Sequence, residues 1–474
     1  MTMRCEWSTP EERRLIIDEA FGLLERHGMR FGQGDALQAL AEAGASVDRE
    51  AGVVRLPTEL VEQALAQCPR EFVLGGADPE DDCHIVDGVP HYVNSGSPTT
   101  ILDFRTWERR DATLDDLREA TSVVDAIPSA GIAWGLVSVI GHDELRDGLT
   151  GLATELAWTR KHVQHDVDYR RQVGSFLRMT EAAGGDLRTR PRTSIVCCTA
   201  SPLQVHPELL DASTDLAAAG IPVVVMSMPI AGGTTPITVA GSVTVGVAEI
   251  LGTITAIQAR APGAKLFFSM VSGLLDMRQT TFAYGAVEAH QQTALAVEIG
   301  HELGLPVLAS GPGTDAKHPG IQAAFEKALK ALVVSSTGCD LMTGLGMLES
   351  ANLACLPQLV IDDEIAQMIL RMLGGVEVSD ETIMAADIER LSFSAAYLKE
   401  KETRRRLRSG EQFLPLIADR SSYDHWKAAG KDELAVACER VEEILAAAEE
   451  RGSYLDAEQQ AVMEASIAEA ASAD

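Results

Sequence analysis

Between about residue 130 and residue 360 the chain alternates short apolar, β-branched runs with longer segments of helical periodicity. Eight runs can be counted: GIAWGLVSVI, KHVQHDV, TSIVCCTA, IPVVVMSMP, AKLFFSMV, GLPVLASG, CDLMTGL and NLACLPQLV. Parallel strands that are buried on both faces read as continuous apolar runs, and helices make the crossovers between them. Eight such units predict an α/β fold, a closed (β/α)8 TIM barrel. An open doubly wound sheet is the alternative, but no GxGxxG motif follows the first run.

The segments on either side of these runs have a different character. At the N-terminus, Thr9 and Pro10 form an N-cap and first-turn pair before EERRLIIDEAFGLLERHG, and the helices DALQALAEAG and TELVEQALAQC follow. HYVNSGSPTTILDFRTWERRDAT predicts a hairpin or small sheet, and LDDLREATSVVDAI a helix. Beyond residue 360 the chain is helical and charged. We therefore expect an N-terminal helical and β-hairpin cap (1–128), the barrel (129–360) and a C-terminal helical extension (361–474).

Charge and hydropathy exclude several classes of protein. Seventy acidic against forty basic side chains give a formal charge of −30, which would repel a phosphate backbone, so nucleic acid is not expected as a partner. The first ten residues contain no secretory signal and no apolar run is long enough to span a bilayer, which predicts a cytoplasmic protein without a membrane partner.

Cysteine and histidine spacing indicates neither disulfides nor a metal site. The eight cysteines are scattered without a CxxC pair. His162 and His165 stand three residues apart in KHVQH, a spacing that puts them on opposite faces of a strand. We expect no metal within the chain.

The carboxyl ends of the predicted strands are where a barrel of this kind places its active site. Glycine, methionine and a few carboxylates dominate the segments that follow the runs, notably MPIAGGTTP and SGPGTDAKHPG. Glycines allow close backbone approach and methionines adapt to a broad apolar face, so these loops suit docking of a large flat group. The alternative is that they are ordinary βα loops, with glycines for positive φ and threonines for caps.

Five blocks in order along the chain resemble the trimethylamine methyltransferase superfamily. They are ALQALAEAGASVDREAGVVRLPTELVEQALAQCPREFVL, MPIAGGTTPITVAGSVTVGVAEILG, LLDMRQTTFAYGAVEA, GTDAKHPGIQAAFEKAL and GLGMLESANLACLPQLVIDDEI. The resemblance implies a TIM barrel that demethylates a methylated amine and passes the methyl group to the cobalt of a separate corrinoid protein. No cofactor would then be bound within the chain. Members that act on trimethylamine carry pyrrolysine, whereas this chain spells only standard residues. It therefore resembles the branch that acts on quaternary amines such as glycine betaine, proline betaine and carnitine.

A quaternary cation cannot donate hydrogen bonds, so aromatic faces and carboxylates at the barrel mouth should recognise it. Aromatic candidates are Trp134, Trp158, Phe268, Phe282 and Tyr284. We expect Glu249, Asp315 and Glu349 as catalytic carboxylates, although each could equally cap a helix or pair with an arginine. Expected substrate-binding residues are His165, Met228, Met270, Asp276, Tyr284 and Lys317, of which Lys317, His165 or else Arg278 could neutralise a substrate carboxylate. Expected corrinoid-facing glycines are Gly232, Gly233, Gly311, Gly313 and Gly346.

The expected function is therefore methyl transfer from a quaternary or tertiary amine to Co(I) of a corrinoid protein. A homo-oligomer is also expected, since large barrels with helical extensions often associate. Two alternatives stay open. One is a barrel enzyme of another reaction, such as a lyase or a corrinoid-independent methyltransferase. The other is a non-catalytic protein that binds a small cation.

Overall fold

Eight parallel strands form a closed barrel in the computed structural model, which describes residues 3–85, 89–94, 98–139, 141, 144–394 and 396–472. The strands are β1 (His91–Asn94), β2 (Ala130–Trp134), β3 (His162–His165), β4 (Thr193–Ala200), β5 (Val223–Ser227), β6 (Leu266–Met270), β7 (Val307–Ser310) and β8 (Leu341–Leu345). Neighbours follow the order β3-β2-β1-β8-β7-β6-β5-β4, and pairing of β3 with β4 closes the ring. The predicted (β/α)8 TIM barrel is confirmed.

A helix follows every strand and packs on the outside of the barrel. The eight are α1 (Leu114–Ala126), α2 (Glu144–Trp158), α3 (Val173–Ala182), α4 (Pro207–Ala219), α5 (Val239–Arg260), α6 (Val287–Glu302), α7 (Ile321–Ser336) and α8 (Leu356–Leu373). Short 3₁₀ turns lie at Pro79–Asp81, Arg170–Gln172, Glu349–Ala351 and Ala396–Lys399.

The assignment of strands to the barrel differs from the sequence-based expectation at two places. The first strand is β1, within the segment expected to form a hairpin or small sheet outside the barrel, and the run NLACLPQLV contributes no barrel strand. That run forms a two-residue strand, Leu353–Ala354, and then enters α8, where Pro357 occupies the first turn without losing a hydrogen bond. Residues 1–2, 95–97 and Ile140, which belong to predicted segments, lie outside the described residues. The division into three domains at 128 and 360 stays a prediction.

Three N-terminal helices cover α5. They are Pro10–Arg26, Asp35–Glu42 and Thr58–Gln67, and the first begins at the predicted Thr9 cap, whose side chain accepts from the Glu12 backbone at 3.2 Å. Because the barrel covers one side of α5 and the N-terminal helices cover the other, α5 is apolar around its whole circumference. By length and apolarity α5 could cross a membrane, but 78% of its most apolar window is buried, so in this structure it is a core helix.

The amino end of the barrel lumen is closed by the hairpin Val73–Leu74/Cys83–His84. Leu74, Cys83 and Ile85 join one buried cluster with inward-facing strand residues such as Phe267 and Leu341. Among the described residues, this cluster therefore blocks the amino end of the lumen.

Short sheets extend the barrel at its rim. One joins Ile230–Ala231, Gly273–Asp276 and Thr281–Ala283, and another joins Met347–Leu348, Leu353–Ala354, Thr100–Leu102 and Arg109–Asp111. From β4 the main sheet continues outward through Gln204–Val205, Met29–Arg30, Val53–Arg55 and Ser46–Asp48.

The C-terminal extension is helical, as expected. Its helices are Asp380–Ile383, Ala385–Leu391, Lys401–Arg408, Tyr423–Ala429, Glu433–Arg451 and Ala457–Ser472. The last two pack back onto the outer helices, Glu433–Arg451 on α8 and α1, and Ala457–Ser472 on α2 and α3.

Candidate active site

A cavity of 580 Å³ opens at the carboxyl ends of β2 and β3. Its walls come from the end of β2, the segment after β3 and the first turns of α2, and include Trp134, Gly135, Gly148, Gly151, Asp147, Glu155, His165, Asp166, Asp168 and Tyr169. This edge is where (β/α)8 barrels assemble their active sites. We refer to it as the β2–β3 cavity.

The β2–β3 cavity is acidic and aromatic. Four carboxylates (Asp147, Glu155, Asp166 and Asp168) and two large rings (Trp134 and Tyr169) line it, and its described lining contains neither lysine nor arginine. Carboxylates and aromatic faces both attract cations. Such a lining favours an organic cation with apolar substituents, which is weakly hydrated.

His165 and Glu155 form a buried pair in the wall of this cavity. His165 Nδ1 lies 2.6 Å from Glu155 Oε2, and His165 Nε2 donates to the carbonyl oxygen of Gly148 at 2.9 Å. Burial raises the pKa of Glu155, and His165 offsets only part of that rise. Burial acts to lower the pKa of His165, but the neighbouring carboxylate outweighs it and raises that pKa.

The second oxygen of Glu155 has no hydrogen-bond partner among the described residues, although Glu155 is only 1% exposed. Gly135 leaves room beside this oxygen, since a Cβ there would lie 3.2 Å from Glu155 Oε1. Buried polar atoms in folded proteins are nearly always bonded, so a bare one beside a cavity marks a place for water or ligand. Sequence reasoning missed Glu155, which lies in the middle of a helix and shows no motif.

Further bare polar atoms lie inside the barrel. Gln164 of β3 has neither amide atom bonded, and Trp134 Nε1, Ser269 Oγ and Thr343 Oγ1 likewise lack partners within the described part of the chain. Trp134 belongs to the inward-facing buried cluster, Gln164 is its register partner on β3, and Ser269 and Thr343 stand two residues after the cluster members Phe267 and Leu341, so all four face inward. Gln164 was also missed, although a glutamine inside the apolar strand KHVQH was a usable signal.

The predicted placement of His162 and His165 on opposite faces of β3 is confirmed. His162 bonds Ser194 on β4 at 2.9 Å, whereas His165 contacts α2. Over the residues that the structure describes, no three His, Cys, Asp or Glu side chains are grouped so that they could hold a metal ion.

Glu249, expected to be catalytic, is fully buried in α5 and is saturated with hydrogen bonds. Its Oε2 accepts from Thr199 Oγ1 at 2.6 Å, Ser227 Oγ at 2.7 Å and Ser201 Oγ at 2.9 Å. Its Oε1 accepts from the backbone of Leu203 at 2.9 Å. These contacts fasten the ends of β4 and β5, so the structure places Glu249 where it positions loops rather than at an open surface.

Asp315, the second expected catalytic carboxylate, ties three loops together. It accepts from the backbone nitrogens of Tyr284 at 2.8 Å and Gly285 at 3.1 Å, and from Ser350 Oγ at 2.6 Å. These are the contacts of a residue that fixes the relative positions of the β6, β7 and β8 exits.

Glu349, the third expected catalytic carboxylate, forms a salt bridge of 2.9 Å with Arg109 on the partly exposed rim. It begins three successive left-handed residues, with φ of 49° at Glu349, 54° at Ser350 and 74° at Ala351. Such backbone is costly for residues with a Cβ and is retained where surrounding contacts hold it. The roles of the three carboxylates in catalysis stay predictions.

The expected substrate-binding residues do not form one group. Met228 is exposed beyond β5, but Met270 differs from the expectation because it faces outward, against Gly246 of α5. Inward and outward positions alternate along a strand, and Phe267 takes the inward one.

Asp276 and Lys317 are occupied by local contacts at the surface. Asp276 closes a turn by accepting from the backbone of Gln279 at 3.0 Å and of Arg278 at 2.7 Å, which lowers its pKa. Lys317 Nζ donates to the carbonyl oxygen of Asp315 at 2.6 Å.

The aromatic candidates separate in the same way. Trp134 lines the β2–β3 cavity, but Trp158 lies under Arg118 and Arg451, and Phe268 is in the outer core. The Tyr284 ring stacks with Phe282 at 5.8 Å, and the ammonium of Lys330 lies 3.8 Å from its centroid. A face of Tyr284 thus already holds a cation of the protein itself.

Of the five glycines expected to face a corrinoid, Gly232 and Gly233 lie at the surface. Gly311, Gly313 and Gly346 differ, because all three are buried and a Cβ would lie 2.2 Å from Met342, 2.2 Å from Tyr284 and 2.5 Å from Leu359, respectively. Close internal packing therefore explains these three.

Comparisons with known proteins agree with this architecture. The family model described as trimethylamine methyltransferase matches residues 2–472. A trimethylamine methyltransferase from Desulfitobacterium hafniense is 30% identical over 426 residues, 89% of this chain and 85% of the relative. A glycine betaine methyltransferase from the same species is 26% identical over 448 residues, 92% of each chain.

A solved structure shares the fold. The monomethylamine methyltransferase of Methanosarcina barkeri superposes with a TM-score of 0.54 at 12% identity, covering 93% of this chain and 89% of that chain. With the family model spanning nearly every residue, the chain belongs to the trimethylamine methyltransferase family.

Proposed function

We propose that this protein moves a methyl group from a quaternary or tertiary amine, such as a betaine, to the Co(I) of a corrinoid carried by a separate cytoplasmic protein. The observation that carries the proposal is the acidic, aromatic β2–β3 cavity at the active-site edge of a barrel from a methyltransferase family. The acceptor and the amine class come from the family resemblance.

The reaction is an in-line displacement at the methyl carbon. That carbon accepts the electron pair of Co(I), which becomes formally Co(III), while the carbon–nitrogen bond breaks and its pair stays on nitrogen. A quaternary ammonium leaves as a neutral tertiary amine and needs no proton. The protein must therefore bind, orient and desolvate the substrate, rather than supply an acid.

The β2–β3 cavity has the means to do this. The ring of Trp134 offers a cation–π contact, worth ~0.5 to 2 kcal/mol. Glu155, Asp166 and Asp168 supply negative potential without requiring hydrogen-bond donors from the ligand. In this proposal Glu249 and Asp315 act by holding the strand exits in place, through the contacts described above.

The corrinoid protein would approach the open mouth over an apolar rim. Ile237 and Met277, which are 63% and 57% exposed, lie beside Gly232, and Met228 is 43% exposed. A flexible methionine surface next to glycine backbone suits a broad, flat partner.

The test mixes the purified protein with free cob(I)alamin and, in separate reactions, trimethylamine, glycine betaine, carnitine and choline. Formation of methyl-Co(III), followed by its absorbance, with at least one amine supports the proposal. Calorimetry with the same amines runs in parallel. Binding without methyl transfer would favour a non-catalytic cation-binding protein, and neither binding nor transfer would favour a different reaction.

The site is tested by Asp168→Asn, with Glu450→Gln on the exposed C-terminal helix as the control. We expect the first change to weaken amine binding and the second to leave it unchanged. Equal affinities in both variants would contradict the assignment of the cavity.

A further inference from the structure

Helix α7 turns its charged side chains inward. Its charged residues are Glu326, Lys327 and Lys330, and both lysines are fully buried. Lys327 forms a salt bridge of 2.8 Å with Asp362, and Lys330 donates to Ser310 Oγ at 2.9 Å. Glu326 is half-buried. Every residue that α7 exposes is therefore uncharged.

The outward face of α7 is apolar instead. Ile321, Phe325 and Leu329 are 88%, 57% and 48% exposed, and their spacing of four puts them on one side of the helix. Met368 and Met372 repeat this spacing on α8, which packs against α7, and both are exposed. We call these five residues the α7–α8 stripe. A surface helix normally buries its apolar side, so the stripe marks a contact surface.

The segment that follows α8 exposes a second apolar surface. Residues 376–430, of which all but Ala395 are described, form the arm, and none of its helices is longer than eight residues. Among the described residues, all hydrogen bonds between the arm and the rest of the chain are made to Glu364 and Arg371 of α8. Helices this short need packing partners in order to be stable.

The arm carries twelve of the 26 large hydrophobic side chains that are exposed in the described part of the chain. These are Val376, Val378, Ile383, Ile388, Phe393, Tyr397, Leu398, Leu407, Leu414, Leu416, Tyr423 and Trp426. Four of them, Leu414, Leu416, Tyr423 and Trp426, line a groove of 920 Å³ between the arm and the start of the helix Glu433–Arg451. An apolar groove of this kind accepts the apolar side of a helix.

Charge limits which surfaces can bring two copies of this chain together. The chain carries a formal charge of −30, so most of its surface repels a second copy. The arm has ten acidic and nine basic side chains, which leaves −1 on the arm and −29 on the rest. The exposed residues of α7 carry no charge at all. The arm and the stripe can therefore meet without this repulsion.

We propose that the arm of one copy packs on the α7–α8 stripe of a second copy of this chain, with the stripe seated in the groove of the arm. Within one chain the stripe and the apolar side chains of the arm are both exposed, so they do not cover each other. A closed assembly, of which the two-fold dimer is the smallest, satisfies every arm and every stripe at once.

The size of the two surfaces fits a stable interface. A specific protein–protein interface contains roughly 20–30 residues on each side. Each copy contributes twelve exposed hydrophobic side chains from its arm and five from its stripe. The inference depends neither on the amine nor on the methyl acceptor, so it stands or falls separately from the proposed function.

The experiment measures the mass of the full chain by sedimentation velocity over a range of concentrations. We expect the wild type to sediment as an assembly of at least two 50.7 kDa chains. Phe325→Asp in the stripe and the double variant Leu414→Asp/Tyr423→Asp in the arm should each raise the Kd by about 30-fold or more. Leu15→Asp, on the exposed side of the first N-terminal helix, is the matched control and should associate like the wild type.

Mixing the two interface variants tests which surface meets which. Phe325→Asp keeps a normal arm, and the double variant keeps a normal stripe, so one complete contact can form between them. The mixture should therefore contain dimers at concentrations where each variant alone is a monomer. All of the substituted side chains are exposed in the single chain, and cooperative thermal unfolding of each variant verifies that it is folded.

Three results would overturn the inference. A wild type that stays monomeric at every concentration leaves the arm without a second copy to bind. Normal association of Phe325→Asp removes the stripe from the interface, and normal association of the double variant removes the arm. A mixture that associates no better than its components excludes contact between arm and stripe.

Discussion

Glu155 Oε2 on α2 and His165 Nδ1 on β3 lie 2.6 Å apart in the wall of the β2–β3 cavity and form a hydrogen bond. Because His165 Nε2 donates to the carbonyl oxygen of Gly148, its Nδ1 is the nitrogen that shares a proton with Glu155. Among the described residues the second oxygen of Glu155 has no hydrogen-bond partner, and it lies beside Gly135.

The first prediction concerns pH and stability. The folded pKa of His165 lies above its ordinary 6.5, so its contribution to the free energy of unfolding is complete below pH 6.5 and is lost as the pH rises through the folded pKa. In Glu155→Gln the carboxylate that most raises the pKa of His165 is gone, so burial should bring that pKa below 6.5. The sign then reverses, and the variant should lose stability as the pH falls through 6.5. Urea unfolding between pH 5 and 9 measures both profiles, and profiles that coincide would refute the pairing. The exposed His425→Gln should reproduce the wild type.

The second prediction concerns cation binding by Trp134. Trp134→Phe keeps an aromatic face of weaker potential, so the affinity for tetramethylammonium should fall by about 2- to 5-fold. Trp158→Phe is the matched control, since that ring lies under Arg118 and Arg451 away from the cavity. Calorimetric titration gives the comparison, and an effect of equal size in both variants would place the cation elsewhere.

The third prediction separates a positioning role for Glu249 from a catalytic one. Glu249→Ala leaves the buried hydroxyls of Thr199 and Ser227 without an acceptor, which should cost about 3 kcal/mol of unfolding free energy. Glu249→Gln keeps most of the hydrogen bonds and should keep most of the methyl-transfer rate. If Glu249→Gln has the unfolding free energy of the wild type but transfers no methyl group, Glu249 is catalytic and the positioning role is wrong.

The fourth prediction concerns the two buried lysines. Lys327→Met strands the carboxylate of Asp362 and should lower the unfolding free energy by about 3–5 kcal/mol. Adding Asp362→Leu should recover much of that loss, because no charge then stays buried alone. Lys330→Met removes an ammonium that has no carboxylate partner among the described residues and should not destabilise the fold. Thermal unfolding of the four proteins is sufficient, and equal losses for both lysine variants would contradict the difference in pairing.

The fifth prediction concerns the glycines of the mouth. Gly313→Ala brings a Cβ to 2.2 Å from the Tyr284 ring and should cost about 1–3 kcal/mol through overpacking. Gly233→Ala lies on the exposed loop and should change stability by no more than about 0.5 kcal/mol. If Gly233→Ala is the more destabilising change, the surface loop is more tightly constrained than its exposure indicates.

The barrel itself was predictable because each strand and helix carries a local signal. Seven of the eight predicted runs overlap the barrel strands β2–β8, and the first helix begins at Thr9 and Pro10 as expected. The barrel strand that was not anticipated, His91–Asn94, lies in the segment expected to form a hairpin or small sheet. Its place in the barrel follows from pairing with β8 and β2, which no local pattern encodes.

The site was less predictable, because contacts between elements far apart in the sequence decide which side chains reach it. Met270 at a strand exit and Glu249 on the following helix were expected at the mouth, yet Met270 faces α5 and Glu249 binds the loops of β4 and β5. Glu155 and Lys330, which lie within helices and carry no motif, instead reach the cavity wall and the carboxyl end of β7.

By itself, the order of apolar runs, caps and charges along the chain determined a TIM barrel with helical additions and an acidic character, because hydrophobic periodicity and capping act over a few residues. Only the tertiary structure decided which acids are saturated with hydrogen bonds, which buried lysine pairs with a carboxylate and where a cation would fit. Those properties depend on contacts between elements far apart in sequence, and burial gives each unsatisfied charge or hydroxyl its energetic weight.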